Sequence, residues 1–149
     1  MEIKRLDINN INEIIELRLK QLKDEGAVDI FDLKPNLIKF YTEQLKGNSF
    51  AIFGCFDNDK IIATSSLSFA YKPPYYNCPN GKIGLLSSMY VDSSYRRQGL
   101  ATKMLDKVVE YAKDNDCSLI HITASKMGEL LYAKYGFIKK NNFMEYKIK

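Results

Sequence analysis

One stretch of the sequence indicates the fold class: Val91-Asp92-Ser93-Ser94-Tyr95-Arg96-Arg97-Gln98-Gly99-Leu100-Ala101-Thr102. It lies between a predicted strand and the strongest amphipathic helix pattern of the chain. A chain that turns through a glycine into a helix directs several unpaired backbone N–H groups to one side, with the positive end of the helix dipole behind them. Gly99 permits close backbone approach, and Arg96 and Arg97 add positive charge. The turn therefore predicts a binding site for a diphosphate.

Taken alone, such a turn is equally compatible with an ordinary strand-to-helix connection that carries two solvated arginines. Two better-known phosphate-binding loops, G-x-x-x-x-G-K-[ST] and G-x-G-x-x-G, do not occur in the chain. Nucleotide hydrolysis and hydride transfer therefore lose their usual sequence support.

Hydrophobic periodicity on both sides of the turn predicts a mixed order of strands and helices. Upstream, the pattern predicts strand Met1–Asp7, a helix capped by Asn9 or Asn10, a helix after Pro35 that ends at Gly47, strands Phe50–Phe56 and Ile61–Tyr71, the loop Lys72–Lys82 and strand Ile83–Val91. Downstream, it predicts a helix from Leu100, strand Leu119–Ala124, helix Met127–Tyr135 and one or two closing strands within Phe137–Ile148. A hairpin combined with a βαβ crossover predicts a mixed sheet.

Two motifs in this order resemble those of a known family. The first is Arg96-x-x-Gly99-x-Ala101, preceded by a strand that ends Met89-Tyr90-Val91 and followed by an amphipathic helix. The second is Ser125-Lys126-Met127-Gly128-Glu129-Leu130-Leu131-Tyr132-Ala133-Lys134-Tyr135-Gly136-Phe137, a helix that ends in Y-x-x-x-G-F. Together they resemble the GNAT acetyltransferases. The resemblance implies an α+β fold, layered α/β/α, whose mixed, mostly antiparallel central sheet splays open at the cofactor site.

The resemblance also implies that acetyl-CoA binds where the sheet opens. Its pantetheine arm would pair with the backbone of Met89 and Val91 as an added strand would, and its diphosphate would meet the amides of the glycine turn. A bulge in strand Ile83–Val91 would aim an N–H at the thioester carbonyl. The implied cofactor-binding residues are Met89, Tyr90, Val91, Arg96, Arg97, Gln98, Gly99, Leu100, Ala101, Thr102 and Ser125.

Tyr132 is the catalytic residue that the resemblance implies, because the family places a tyrosine here that can protonate the departing thiolate. Helical spacing puts Tyr132 on the same face as Gly128, and a glycine within a helix costs ~1 kcal/mol relative to alanine. Such a cost suggests that space is needed beside Tyr132. The alternative is a packed aromatic residue beside Tyr135 and Phe137.

Two other residues have simpler interpretations. Ser125 sits where many members of the family carry an asparagine, and its side chain can cap the helix Met127–Tyr135, contact the cofactor, or do both. His121 is the one histidine of the chain and alternates with Ile120 and Ile122 on a predicted strand. No catalytic role is expected for it.

The general base is the main departure from the family. Members often carry a glutamate on the strand before the cofactor loop, whereas Ile83–Val91 offers no carboxylate. An acceptor amine could lose its proton through ordered water or to Asp29, Asp32 or Glu43. The resemblance places the acceptor pocket in the region Ile30–Gly47 and the loop Tyr71–Lys82, and the loop is equally compatible with a dimer contact.

The leading functional hypothesis is direct acetyl transfer from acetyl-CoA to a primary amine of a small molecule or peptide. A second is an acyl-CoA-binding regulatory module without turnover; the absent strand carboxylate favours it and Tyr132 argues against it. A third is a dimeric structural protein whose exposed sheet edge recruits a partner.

Composition limits the remaining classes. The chain has 149 residues, 46% of them hydrophobic, which predicts one globular domain over residues 1–149. The net charge of +4 is dispersed and does not indicate nucleic acid binding. No signal peptide or membrane span is predicted, so we expect a soluble cytoplasmic protein, with a homodimer left open. Cys55, Cys78 and Cys117 lack C-x-x-C spacing, and neither a disulfide framework nor a metal site is expected.

Overall fold

A computed structural model describes the whole chain, residues 1–149. Five strands and four α-helices follow the predicted order, with short 3₁₀ turns at Ile8–Asn10 and Ser93–Tyr95. In chain order they are β1 (Glu2–Arg5), α1 (Ile11–Asp24), α2 (Lys34–Gln44), β2 (Phe50–Asp57), β3 (Lys60–Tyr71), β4 (Lys82–Val91), α3 (Leu100–Asp114), β5 (Leu119–His121) and α4 (Lys126–Tyr135).

The strands form one sheet in the order β1-β2-β3-β4-β5. The first four are an antiparallel meander, and β5 pairs in parallel with β4 after the crossover through α3. Neighbouring strands of a parallel pair need such a crossover, and the amphipathic α3 supplies it. The predicted mixed, mostly antiparallel sheet is therefore confirmed.

Helices cover both faces of the sheet, and each pair has its own core. On one face, α1 and α2 bury Ile14, Ile15 and Tyr41 against Phe50 and Ile52 of β2. On the other face, the buried stripe of α3 packs against β3 and β4, and α4 adds Tyr132. The helix predicted from Leu100 is present, and its buried residues recur at intervals of three and four: Leu100, Met104, Leu105, Val108 and Ala112.

The sheet opens between β4 and β5. The two strands pair only from Ile83 to Leu85 of β4, against Leu119 to His121 of β5. Beyond Leu85, β4 continues to Val91 with a strand on its β3 side alone. The splay that the family resemblance implies is thus present beside the C-terminal half of β4.

Two predicted strands differ from the structure. β5 ends at His121 rather than at Ala124, and Phe137–Ile148 contains no strand. Alternation of apolar and polar residues produces a strand only where the edge of another strand is available for pairing. The local sequence does not show whether such an edge is present. Here the C-terminal segment meets no edge of its own sheet, so the closing strands are a wrong prediction.

No helix is both long and apolar enough to cross a bilayer.

Candidate active site

A cavity of about 440 Å³ lies where the sheet opens, bounded by α1, β4, the turn before α3 and α4. Every predicted cofactor residue except Gln98 lines it, together with Tyr132. The remaining lining residues are Gln21, Asp24, Glu25, Tyr95, Met127, Gly128 and Leu131.

The turn into α3 leaves its backbone amides free. Gly99 precedes the helix in the left-handed region, at φ 77°, and Arg97 is also left-handed at φ 63°. The first helical hydrogen bond runs from Lys103 N–H to the Gly99 carbonyl at 3.3 Å, so the N–H groups from Leu100 to Thr102 precede the helical ladder. No atom lies within 4 Å of the point where a Cβ of Gly99 would stand. The turn is open to an anion on the side that the amides face.

β4 bulges next to the cavity, as the resemblance implied. Its register against β3 shifts between Thr64 and Ser66, and Ser88 is left-handed at φ 52°. Thr64 Oγ1 donates to the Ser88 carbonyl at 2.8 Å, and Ser66 Oγ donates to the Ser87 carbonyl at 2.9 Å. These two side-chain hydrogen bonds tie the bulge of β4 to β3 and help to fix its shape.

The exposed edge of β4 begins after the bulge. Because Asp92 N–H donates to the Ile62 carbonyl of β3 at 2.8 Å, the alternation of a strand turns the N–H groups of Met89 and Val91 away from β3. The Met89 carbonyl accepts from Gln21 Nε2 at 3.1 Å, and the Val91 carbonyl accepts from Arg96 Nε at 3.0 Å. Each carbonyl has a second lone pair, so this edge can still pair with a ligand.

Tyr132 is 7% exposed and lies between the cavity and the core. Its ring packs edge to face on Phe137 at a centroid distance of 5.7 Å, so packing and a site role coexist. Burial, followed by the negative charge of Glu25, raises the pKa of Tyr132 to about 12. The phenol therefore stays protonated at neutral pH, where it can donate a hydrogen bond or a proton but cannot act as a phenolate base.

Ser125 caps α4, as predicted: its Oγ accepts from Gly128 N–H at 3.3 Å. The same residue lines the cavity, so capping and a cofactor contact are compatible at this position. His121 is exposed and lines neither of the two cavities described here.

Carboxylates reach the cavity from a different place than expected. Asp29, Asp32 and Glu43 are exposed and line neither cavity. Asp24 and Glu25, at the end of α1, line the main one. No group of three or more His, Cys, Asp or Glu side chains is arranged to hold a metal ion.

A second cavity of about 350 Å³ lies on the α2 side of the bulge. It reaches Ser87 and Ser88, while the main cavity begins at the next residue, Met89, so the two are neighbours along β4. The region Ile30–Gly47 contributes residues to this second cavity, whereas the loop Tyr71–Lys82 lines neither cavity. The remaining lining residues are Arg18, Asn36, Leu37, Phe40, Tyr41 and Phe50.

Sequence reasoning missed the contribution of α1. Arg18, Gln21 and Glu25 follow each other at intervals of three and four, so they share a helix face. Gln21 is only 5% exposed, although glutamine is mostly a surface residue. A polar residue at a position that helical spacing buries was the signal that could have found this group.

A mixed sheet opened beside a bulged strand, with a glycine-led helix start facing the opening, defines an acetyltransferase fold. The chain belongs to the acetyltransferase (GNAT) family, whose sequence model matches residues 12–137.

Two kinds of relatives stand out. A predicted acetyltransferase from Clostridium acetobutylicum, crystallised with acetyl-CoA, is 32% identical, with a TM-score of 0.94 over 98% of this chain and 95% of that one. Two rice (Oryza sativa subsp. japonica) proteins, glucosamine 6-phosphate N-acetyltransferase 1 and a probable glucosamine 6-phosphate N-acetyltransferase 2, are 31% and 32% identical over 41% and 54% of this chain. These matches span 37% and 47% of the rice proteins, less than half of their length.

Proposed function

We propose that the protein is an acetyl-CoA-dependent N-acetyltransferase that transfers the acetyl group directly to a primary amine of a small molecule or peptide. The observation that carries this proposal is the meeting, in one cavity, of the open α3 amides, the edge of β4 that begins at Met89 beside the bulge, and Tyr132. Acetyl-CoA in the Clostridium crystal structure and the N-acetyltransferase names of the rice relatives support it.

The residues present fit acetyl-CoA. The free amides from Leu100 to Thr102, with Arg97 beside them, would hold the diphosphate. The edge of Met89 and Val91 would pair with the amide groups of pantetheine. An N–H at the bulge would stabilise the negative charge that develops on the thioester oxygen.

Tyr132 would assist the leaving sulfur chiefly by donating a hydrogen bond. Its pKa of about 12 lies ~3.5 units above the ~8.5 of a free thiol, which makes complete proton transfer uphill by ~5 kcal/mol. A donated hydrogen bond needs no such transfer, and it strengthens as negative charge grows on sulfur.

A screen for thiol release from acetyl-CoA tests the proposal. The acceptors are simple amines, amino acids, amino sugars, aminoglycosides and peptides, and mass spectrometry identifies the acetylated product. We expect thiol release that depends on one class of amine. Acetyl-CoA binding without turnover on any acceptor would favour the regulatory module instead.

We also propose that the protein is a homodimer. The C-terminal segment exposes Phe143, Met144, Tyr146 and Ile148 by 75%, 93%, 91% and 86%, and β5 is an edge strand. Met144, Tyr146 and Ile148 alternate with charged residues, the pattern of a half-buried strand. Each copy carries a C-terminal segment with a strand pattern and an open edge at β5. If the C-terminal segment of each copy pairs with β5 of the other, both the segments and the edges are covered.

Light scattering after size-exclusion chromatography tests the dimer. We expect twice the chain mass of 17.2 kDa, and a monomer for the double variant Tyr146→Ser, Ile148→Ser. A wild-type monomer at all concentrations would contradict the proposal.

We assign residues 1–149 to one acetyltransferase domain and place it in the cytoplasm. All three cysteines are free, and burial raises the pKa of the thiols of Cys55 and Cys117. Unpaired thiols are typical of a reducing compartment. Fluorescent tagging and fractionation in the native cell would test the placement.

A further inference from the structure

A row of three hydrogen-bonded side chains, two on α1 and one on its C-cap residue Glu25, runs beside the β4 bulge. Arg18 Nη1 donates to Gln21 Oε1 at 3.1 Å, and Gln21 Nε2 donates to Glu25 Oε1 at 3.2 Å. Gln21 Nε2 also donates to the Met89 carbonyl at 3.1 Å, which ties the row to the strand. Gln21 thus holds the guanidinium of Arg18 on one side and the carboxylate of Glu25 on the other.

The two ends of the row face different cavities. Arg18 lines the second cavity, whereas Gln21 and Glu25 line the main one, and consecutive residues of β4, Ser88 and Met89, line the second and the main cavity respectively. Arg18 and Glu25 are seven positions apart, which corresponds to a rise of ~10 Å along a helix. The row therefore spans the place where an acceptor must lie to reach the bulge.

The second cavity has the charge of an anion site. Arg18 is the one charged residue among those that line it, and Arg18 makes no ion pair within the protein. Its guanidinium keeps donors free besides the one held by Gln21 Oε1, and their forked geometry suits a carboxylate or a phosphate. Phe40, Tyr41 and Phe50 lower the polarity around it, which strengthens its attraction for an anion.

We propose that this row selects an acceptor that carries both an amine and an anionic group. Arg18 binds the anionic group and Glu25 receives a proton from the acceptor ammonium. The inference rests on the proposed acetyltransferase function and names its substrate class. Polycationic acceptors are disfavoured, because the second cavity would place Arg18 against like charge with no carboxylate in its lining.

The protons and bonds of this step balance. The acceptor ammonium first loses one proton to the Glu25 carboxylate, which passes it to solvent. The free amine then forms the amide bond to the acetyl carbon as the carbon–sulfur bond breaks. The nitrogen loses its second proton through solvent, and the departing thiolate takes one up with the assistance of Tyr132, so one proton is released per turnover.

Matched acceptor pairs test the role of Arg18. The pairs are glucosamine with glucosamine 6-phosphate, and an amino acid with its amide, which distinguish phosphate from carboxylate. We expect kcat/KM to favour the anionic member of one pair by about tenfold or more, and Arg18→Gln to remove that preference through KM. Lys23→Gln, an exposed cation on the same helix that lines neither cavity, is the matched control and should keep it.

Two further readouts separate the outcomes. Calorimetric titration of the preferred anionic amine, with coenzyme A present, should weaken in Arg18→Gln without any turnover. Glu25→Gln should lower kcat about 100-fold while acetyl-CoA binding is retained, and Glu16→Gln, exposed on the same helix, should not. Equal kcat/KM within both pairs, or full kcat in Glu25→Gln, overturns this inference alone. Failure to bind acetyl-CoA or to acetylate any amine overturns the proposed function as well.

Discussion

Gly128 and Tyr132 lie one helical turn apart, and a Cβ at position 128 would stand 2.7 Å from Cε2 of Tyr132. The absence of a side chain at Gly128 thus lets the buried ring lie against the backbone of α4 and face the cavity. The expectation that space is needed beside Tyr132 is confirmed. Alanine would gain ~1 kcal/mol of helix propensity, but it would push the ring from its position.

Gly128→Ala should therefore lower turnover about tenfold or more while the protein stays folded, since overpacking costs ~1–3 kcal/mol. The measurement is kcat with a saturating acceptor. In the double variant with Tyr132→Phe, turnover should fall no further than in Tyr132→Phe alone. Unchanged turnover in Gly128→Ala would mean that the position of the ring does not matter.

Tyr132→Phe keeps the packing on Phe137 and removes the hydroxyl. We expect kcat to fall by ~100 to 10,000-fold, because the leaving sulfur loses its donor, with little change in the Kd of acetyl-CoA. Single-turnover kinetics check the chemical step itself.

Tyr135→Phe is the matched control for Tyr132→Phe. The Tyr135 hydroxyl donates to Asp106 Oδ1 at 2.7 Å on the surface, so it is tied to α3 rather than to the cavity. Turnover should be retained. Full turnover in both variants would remove Tyr132 from the mechanism.

The turn into α3 should distinguish backbone from side-chain recognition. Gly99→Val places a branched side chain at φ 77° in the open face of the turn, so we expect acetyl-CoA binding to be abolished. Arg97→Ala removes only charge and should weaken binding. The loss should be larger at low salt than at high salt, because salt already screens that charge in the wild-type protein at high ionic strength. Calorimetry at two salt concentrations checks both; equal losses that do not vary with salt would argue against an amide cradle.

Asp92 links the end of β4 to α1. Lys20 Nζ lies 3.0 Å from Asp92 Oδ2, and this hydrogen bond, with one from Ser94 N–H, lowers the pKa of Asp92. A depressed carboxyl pKa stabilises the fold above the unfolded value of ~3.9, and the contribution is lost as the pH falls through the folded value.

Asp92→Asn should therefore lower the free energy of unfolding by ~1–2 kcal/mol at pH 7, with partial screening because Lys20 is half exposed. Urea unfolding at pH 7 and near pH 3 should show a difference in the free energy of unfolding between wild type and Asp92→Asn that is smaller at the lower pH. A difference of the same size at both pH values would exclude the charge of Asp92 as its cause.

Local signals explain what the sequence could predict. The Gly99 turn, the amphipathic helix from Leu100 and the Ser125 cap each depend on residues within a few positions of one another, and each is present as expected. The space at Gly128 was also readable from spacing. The bulge at Ser88 had no local signal, because it is held by hydroxyls of β3 more than twenty positions away; only the resemblance implied it.

Long-range pairing explains what could not be predicted. The C-terminal alternation around Tyr146 does not specify whether a strand edge is available to this segment. The row of Arg18, Gln21 and Glu25 is positioned beside β4 by the hydrogen bond from Gln21 to the Met89 carbonyl, which lies 68 positions away. Hydrophobic periodicity predicts neither contact, because it reports which face of its own helix or strand a residue occupies and not which other element packs against that face.

The free energy of unfolding, measured with and without acetyl-CoA, shows whether the cavity at the splayed sheet binds this ligand. At a ligand concentration of ~100 times Kd, binding to the folded state should add ~2.7 kcal/mol, and Gly99→Val should abolish the gain. No stabilisation of the wild-type protein at millimolar acetyl-CoA, or an equal gain in Gly99→Val, would contradict the account.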